Sequence, residues 1–375
     1  MIQPILISLF TVIAVRLLDQ WENKHIKTLF DWVPAILLAY LFPALISELF
    51  IVDYSASQIH QWSKNLLIPL AIVAVMSSLS FQGLKAIGFK PILLFLSGSF
   101  AIAILPVTLL FFYDGTEFIE GVLIQENYWK GIPPIVGSWI GGSTSQLVLK
   151  ELIDTPEEVF LSILVMDNIL VNIWTILMFQ LIKKSEAINR ILKINSKTLP
   201  LSTVEQSKNP ISKYTVLLIL FSIVGIVHFT IEPFIGKIIA LSILGLLLSN
   251  YIKKWNFDFV LKMGGLLILM VMAVLGLKLN FDQLTFNGSF FGFLIVWMLV
   301  QFIISVGVAK LLNINFAWVP IASMANVGGI ATAPAVTAAY EKKWMPHAIV
   351  LAILSMATGT FWGLLTIDLF ERFFL

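Results

Sequence analysis

The chain has 375 residues, 58% hydrophobic and 12% charged, with a net charge of +2. Soluble domains are roughly 45–50% apolar and 25% charged, so the composition excludes an ordinary water-soluble globule, and the balanced charge argues against a nucleic-acid partner. There is no cysteine to form a disulfide, a thiol nucleophile or a thiolate metal site, and His25, His60, His228 and His347 stand without ligand spacing.

The N-terminal MIQPILISLFTVIAVRLL lacks a basic leader region and a small-residue cleavage site, and it reads as an uncleaved first span. Apolar stretches able to cross ~30 Å of hydrocarbon recur at 33–52, 65–80, 91–112, 158–182, 214–231, 235–252, 259–279, 289–312 and 346–369, which makes ten expected spans. Two more segments, 131–152 and 316–340, are apolar yet rich in Gly, Ser, Thr and Pro.

Basic residues decide how those two segments are read, because cytoplasmic loops carry the excess of Lys and Arg. The linker 183–213 holds Lys183, Lys184, Arg190, Lys193, Lys197, Lys208 and Lys213 and is expected in the cytoplasm. If all twelve segments cross, the linker's side carries thirteen basic residues against ten. If the two glycine-rich segments are re-entrant, Arg16, Lys24, Lys27, Lys85, Lys90, Lys342 and Lys343 join that side while Lys64, Lys130 and Arg372 leave it, and the count becomes seventeen against six. About 22 residues also make two arms of about 16 Å, each reaching only mid-bilayer. The re-entrant reading is therefore preferred, with both termini outside. Two full, kinked spans remain the alternative, since Gly and Pro are common in ordinary transmembrane helices.

The element order then repeats. Residues 1–182 and 214–375 each hold five spans with a glycine-rich hairpin or broken helix before the last, joined by the linker 183–213. Ile140-Gly141-Gly142-Ser143 falls on Val327-Gly328-Gly329-Ile330 at an offset of 187 residues. An odd number of spans per half inverts the second copy. The expected fold is an all-α polytopic membrane protein of two inverted-topology repeats.

A helix that breaks inside a membrane exposes backbone groups that lipid cannot satisfy, and a ligand can. The expected substrate-binding set is Gly141, Gly142, Ser143, Thr144 and Ser145 at the first tip, with Asn326, Gly328, Gly329 and Thr332 at the second. Close helix packing through small residues is the bland alternative. Asp167 lies near the centre of VFLSILVMDNILVNIWTILMF, where a charge costs about 2.5–3.5 kcal/mol. Asn168, Asn172 and Thr175 follow on one adjoining helical face. Asp167, Asn168 and Asn172 are expected to form a Na⁺ site, against the alternative of an interhelical hydrogen-bonding Asp. The second half has Ser355, Thr358 and Thr360 at the corresponding place. Trp32, Trp129 and Trp344 read as interfacial anchors, and the linker as a flexible tether with a short amphipathic stretch.

SWIGGSTSQLVLKEL in the first half and ASMANVGGIATAPAVTAA in the second resemble the paired motifs of domain-of-unknown-function family 819, the YjcL-like membrane proteins, across essentially the whole chain. Asp167-Asn168 resembles the family's acidic pair, whereas Ser145 stands where the family usually has Asn. In plan the family is similar to sodium:glutamate symporters, bile-acid-type symporters and cation:proton antiporters, so the resemblance implies a transporter and names no substrate.

The function expected is Na⁺- or H⁺-coupled symport of a small polar or anionic solute, such as an amino acid, short peptide or carboxylate, by alternating access. A cation:proton antiporter without organic substrate is the alternative. No cofactor beyond the coupling Na⁺ or H⁺ is expected. No GxSxG, HExxH or P-loop pattern occurs, so an enzyme is not expected. The expected setting is the cytoplasmic membrane, with lipid as neighbour; a homodimer is left open.

Overall fold

The computed structural model describes residues 2–23, 26, 35–50, 52–79, 87–112, 117–194, 210–252, 254–279, 287–341 and 344–375. His25, Trp32, Lys24, Lys27, Lys85, Lys197, Lys208, Lys342 and Lys343 lie outside these residues.

The described residues are helical throughout their ordered elements, with no strand among them. In chain order the helices are α1 (Ile2–Gln20), α2 (Ala35–Phe50), α3 (Ile59–Trp62 continuing through a π-helical Ser63–Leu67 into Ile68–Met76), α4 (Phe89–Phe111), α5 (Ile132–Leu152), α6 (Glu157–Lys183) and α7 (Ser185–Leu192). The second half gives α8 (Lys213–Thr230), α9 (Phe234–Tyr251), α10 (Phe257–Gly276), α11 (Gly288–Leu311), α12 (Trp318–Val327), α13 (Gly329–Ala338) and α14 (Met345–Phe374).

Each expected span corresponds to a helix, and eight of the described helices are long and apolar enough to cross a membrane. The other two are α2 and α3. The 16-residue α2 contains Pro43, and α3 begins at Ile59, earlier than its apolar run, and passes through the π-helical turn. Polar caps fix several starts: Ser212, Asn256 and Asn287 accept from the backbone N–H groups of Thr215, Phe259 and Phe290, satisfying donors that a helix N-terminus leaves unpaired.

The helices cluster into two compact units that cut across the sequence halves. The first holds α1, α2, α3, α8, α9, α10 and the part of α6 up to Asn172. Its centre is the apolar run Ile68–Met76 of α3, every residue of which is buried. Close approach there depends on missing side chains: a Cβ on Gly276 of α10 would strike the Tyr40 carbonyl of α2, and one on Gly245 of α9 would lie 2.7 Å from the Met76 Cβ. The buried indole of Trp255 donates to the Ser77 carbonyl at 2.9 Å, and the Tyr40 hydroxyl donates to Glu157 at 2.9 Å.

The second unit holds α4, α5, the remainder of α6, α7 and α11 to α14, and thus both glycine-rich segments. Its axis is α14, 30 residues and about 45 Å long. The linker is not a featureless tether where it is described. Its amphipathic stretch forms α7, whose Asn189 is buried against the start of α12.

Candidate functional site at the helix breaks

The two glycine-rich segments break at matching glycines. Gly142 has φ 67° and ψ −166°, and Gly329 has φ 65°; a side chain there would be strained, so glycine is the residue that allows the break. At the first break the chain turns back on itself. A Cβ on Gly137 would lie 2.8 Å from the carbonyl carbon of Ser145 and 2.9 Å from the amide nitrogen of Gln146, whereas eight residues of straight helix would separate such atoms by about 12 Å. At the second break α12 ends and α13 begins, with Thr332 folded against Gly328.

The two breaks meet midway along α14. At the start of that helix, Trp344 stacks on Trp318 at the foot of α12, and His347 packs edge-on to the same ring. At its other end Phe370 stacks on Trp129, just before α5. Between them the Ser355 hydroxyl lies 3.0 Å from Asn326 Oδ1 of the second tip and also reaches the Ile140 carbonyl of the first, one proton facing two acceptors. The backbones of Gly359 and Gly141 touch, so a Cβ on either would collide with the other. Thr360 donates to Ser145 at 3.1 Å.

Several polar atoms here are buried without a partner: Asn326 Nδ2, Thr144 Oγ1, Gln146 Nε2 and Thr332 Oγ1. Asn326 is 2% exposed and Gln146 3%. Leaving a buried polar atom unpartnered costs about 1–3 kcal/mol, so these four atoms are the polar groups of the broken segments whose hydrogen bonding the fold does not complete.

The expected substrate residues Gly141, Gly142, Ser143, Thr144, Ser145, Asn326, Gly328, Gly329 and Thr332 all belong to the second unit. Thr144, Ser145 and Asn326 are buried, while Ser143, Gly142, Gly328 and Gly329 are half-buried. Asp167, Asn168 and Asn172 lie on the part of α6 that clusters with the first unit. Asp167 is 6% exposed, Asn168 and Asn172 are half-buried, and each engages other groups. Among the described residues no three of His, Cys, Asp and Glu converge as a metal site, so a cation here would be held by carboxylate, amide and carbonyl oxygens.

Sequence reading missed Ser99, Gln301 and Ser305 and gave Ser355 and Thr360 no binding role. Ser99 of α4 donates to Asn326 Oδ1 at 3.0 Å, and Gln301 of α11 donates to Ser305 at 3.1 Å. They stand in apolar runs, and the available signal was Ser97-Gly98-Ser99 together with Gln301, near span centres.

At the foot of α12 Asn315, Tyr340 and Glu186 form a chain of hydrogen bonds. Asn315 Nδ2 donates to the Tyr340 hydroxyl at 3.0 Å, and that hydroxyl donates to Glu186 at 2.7 Å. Burial first, then the bond to Glu186, pushes the Tyr340 phenol up to about 12.

Fold and site together define a multi-span, all-helical membrane protein built around paired, glycine-broken helices. The chain matches the family described as "Protein of unknown function (DUF819)" over residues 7–373, and it belongs to that family. No match to a curated protein was found.

Proposed function

We propose that this protein is a secondary transporter of the cytoplasmic membrane, carrying a small polar or anionic solute together with Na⁺ or H⁺ by alternating access. The observation that carries the reading is the meeting of two glycine-broken segments, which approach from opposite ends of α14 and bury unpartnered polar atoms where they meet. Broken helices at a membrane midplane present helix termini and free backbone groups to a solute or ion. Gly142 and Gly329, which the 187-residue offset joins, both hold positive φ, which favours a repeated and inverted plan with re-entrant arms. Asp167 supplies the coupling charge, with Asn168 and Asn172 beside it. The linker then lies in the cytoplasm and both termini outside.

The test is the thermal stability of the purified protein against amino acids, short peptides, carboxylates and polyols, each with and without Na⁺ and at two pH values. A ligand at 100 times its dissociation constant adds about 2.7 kcal/mol. Stabilisation by one solute class only with Na⁺, or only at low pH, supports symport. Stabilisation by Na⁺ alone, weakening as pH falls, replaces symport with cation:proton antiport. No response to any solute or cation rejects a transporter.

A further inference from the structure

The second glycine break has a neighbour that its own residues do not explain. Gly98 lies in the middle of α4, and the position its Cβ would occupy is 3.5 Å from Asn326 Nδ2, 3.4 Å from Gln301 Nε2 and 3.5 Å from Ser305 Oγ. Three polar atoms from two other helices thus converge on a point where this helix has no side chain. All three residues are at most 4% exposed.

The hydrogen bonds around the niche bear on its polarity. Asn326 Oδ1 lies 3.0 Å from the hydroxyls of Ser99 and Ser355, each of which also reaches a backbone carbonyl, that of Phe95 or of Ile140; the Asn326 amide nitrogen is buried without a partner. Ser305 gives its proton to the Gln301 carbonyl at 3.0 Å and accepts one Gln301 Nε2 proton. A primary amide has two N–H donors, so one from Gln301 remains beside the free pair on Asn326. The niche offers donors, and its guest atom is an acceptor.

Charge narrows the class. The interiors of α4, α11 and α12 carry no ionised residue: Lys90 and Lys310 stand at helix ends. A doubly charged phosphate would lack the Lys or Arg partners that such groups recruit. The N-terminus of α13, at Gly329 beside Asn326, adds a partial positive charge suited to a single anion.

We propose that the Gly98 niche receives a carboxylate oxygen of the transported solute, with Asn326 and Gln301 as its donors and with Ser99 and Ser355 as positioning residues that hold the Asn326 amide in its orientation. This rests on the transporter reading and names its substrate class.

The test uses the full chain in detergent, saturated with Na⁺ at neutral pH and again at low pH. It compares affinities for matched pairs: propionate and propionamide, succinate and succinamide, alanyl-alanine and alanyl-alaninamide. Wild-type protein is expected to bind a carboxylate at least tenfold more tightly than its amide. Gly98→Ala adds a methyl at ordinary van der Waals distance, so the protein keeps its thermal transition while carboxylate affinity falls at least tenfold. Asn326→Asp exchanges a donor for a negative oxygen and loses carboxylate binding. Gly307→Ala, on α11 with open space around it, retains wild-type affinity. Equal affinity for acid and amide, or unchanged binding in Gly98→Ala, overturns the niche and leaves the transporter standing. Wild-type protein that binds no member of the panel under either cation condition overturns both.

Discussion

Asn189 of the linker helix and Asn315 before α12 form a 3.0 Å hydrogen bond, Nδ2 to Oδ1, across 126 residues of sequence. The same Asn189 accepts from the Phe316 backbone N–H at 2.8 Å, and Asn315 Oδ1 accepts from Ala317 N at 2.9 Å. The linker helix therefore closes the N-terminal end of α12, where a helix has spare donors. Asn189→Ala leaves the Phe316 N–H without this acceptor and is expected to cost about 1–3 kcal/mol. Thermal unfolding gives the loss, and limited proteolysis should cut the linker near residue 190 faster than in wild type.

Tyr340 gives a pH signature at the same place. Its phenol is raised from an ordinary value of 10.0 to about 12 by burial and the bond to Glu186. The unfolded chain releases this proton first, so the contribution is complete below pH 10 and is lost as pH climbs from there toward 12. Tyr340→Phe removes that slope. Stability measured between pH 9 and 12 should fall less steeply in the variant, and parallel curves would reject the assignment.

Glycines at the crossing separate two kinds of strain. Gly359→Ala pushes a methyl into the Gly141 backbone, which has no flexible end to yield, and about 1–3 kcal/mol or more is expected from overpacking. Gly142→Ala meets nothing within 4 Å but must hold φ near 67°, at about 1–3 kcal/mol of backbone cost. Trimming Ser145 to Gly opens room beside Gly141 and should relieve the first variant in part and leave the second unchanged. A double-mutant cycle read by thermal unfolding distinguishes them.

Asp167→Asn should abolish Na⁺-dependent stabilisation while leaving the ion-free protein as stable as wild type or more so, because a charge at a span centre costs about 2.5–3.5 kcal/mol. A differential scan with NaCl against choline chloride reads both. An unchanged Na⁺ response would remove Asp167 from coupling.

Topology is accessible because the native chain has no cysteine. Glu126→Cys and Asp154→Cys sit at exposed positions before and after α5. An impermeant maleimide applied to right-side-out membranes should label both. Labelling from opposite sides would make α5 a full crossing.

The sequence made the apolar runs legible because helix length and lipid thickness are both fixed quantities, and α3 departed from expectation by starting at Ile59, before its apolar run, and passing through a π-helical turn at Ser63–Leu67. The doubled Gly-Gly tips were legible because few residues other than glycine hold positive φ. What stayed hidden depends on contacts distant in sequence. Ser99 reaches Asn326 across 227 residues and Ser355 reaches Ile140 across 215, and a lone serine in an apolar helix usually satisfies itself on its own backbone. The docking of Asn189 was hidden for the same reason, since its partner Phe316 N is a backbone atom that carries no residue signature.

Ser355 has one proton, and two acceptors on different tips lie within its reach, the Ile140 carbonyl and Asn326 Oδ1. A hydroxyl proton points at one acceptor at a time, so one donor at the midpoint of a single long helix is shared between the two glycine-broken segments, and Ser355 ties their positions to each other.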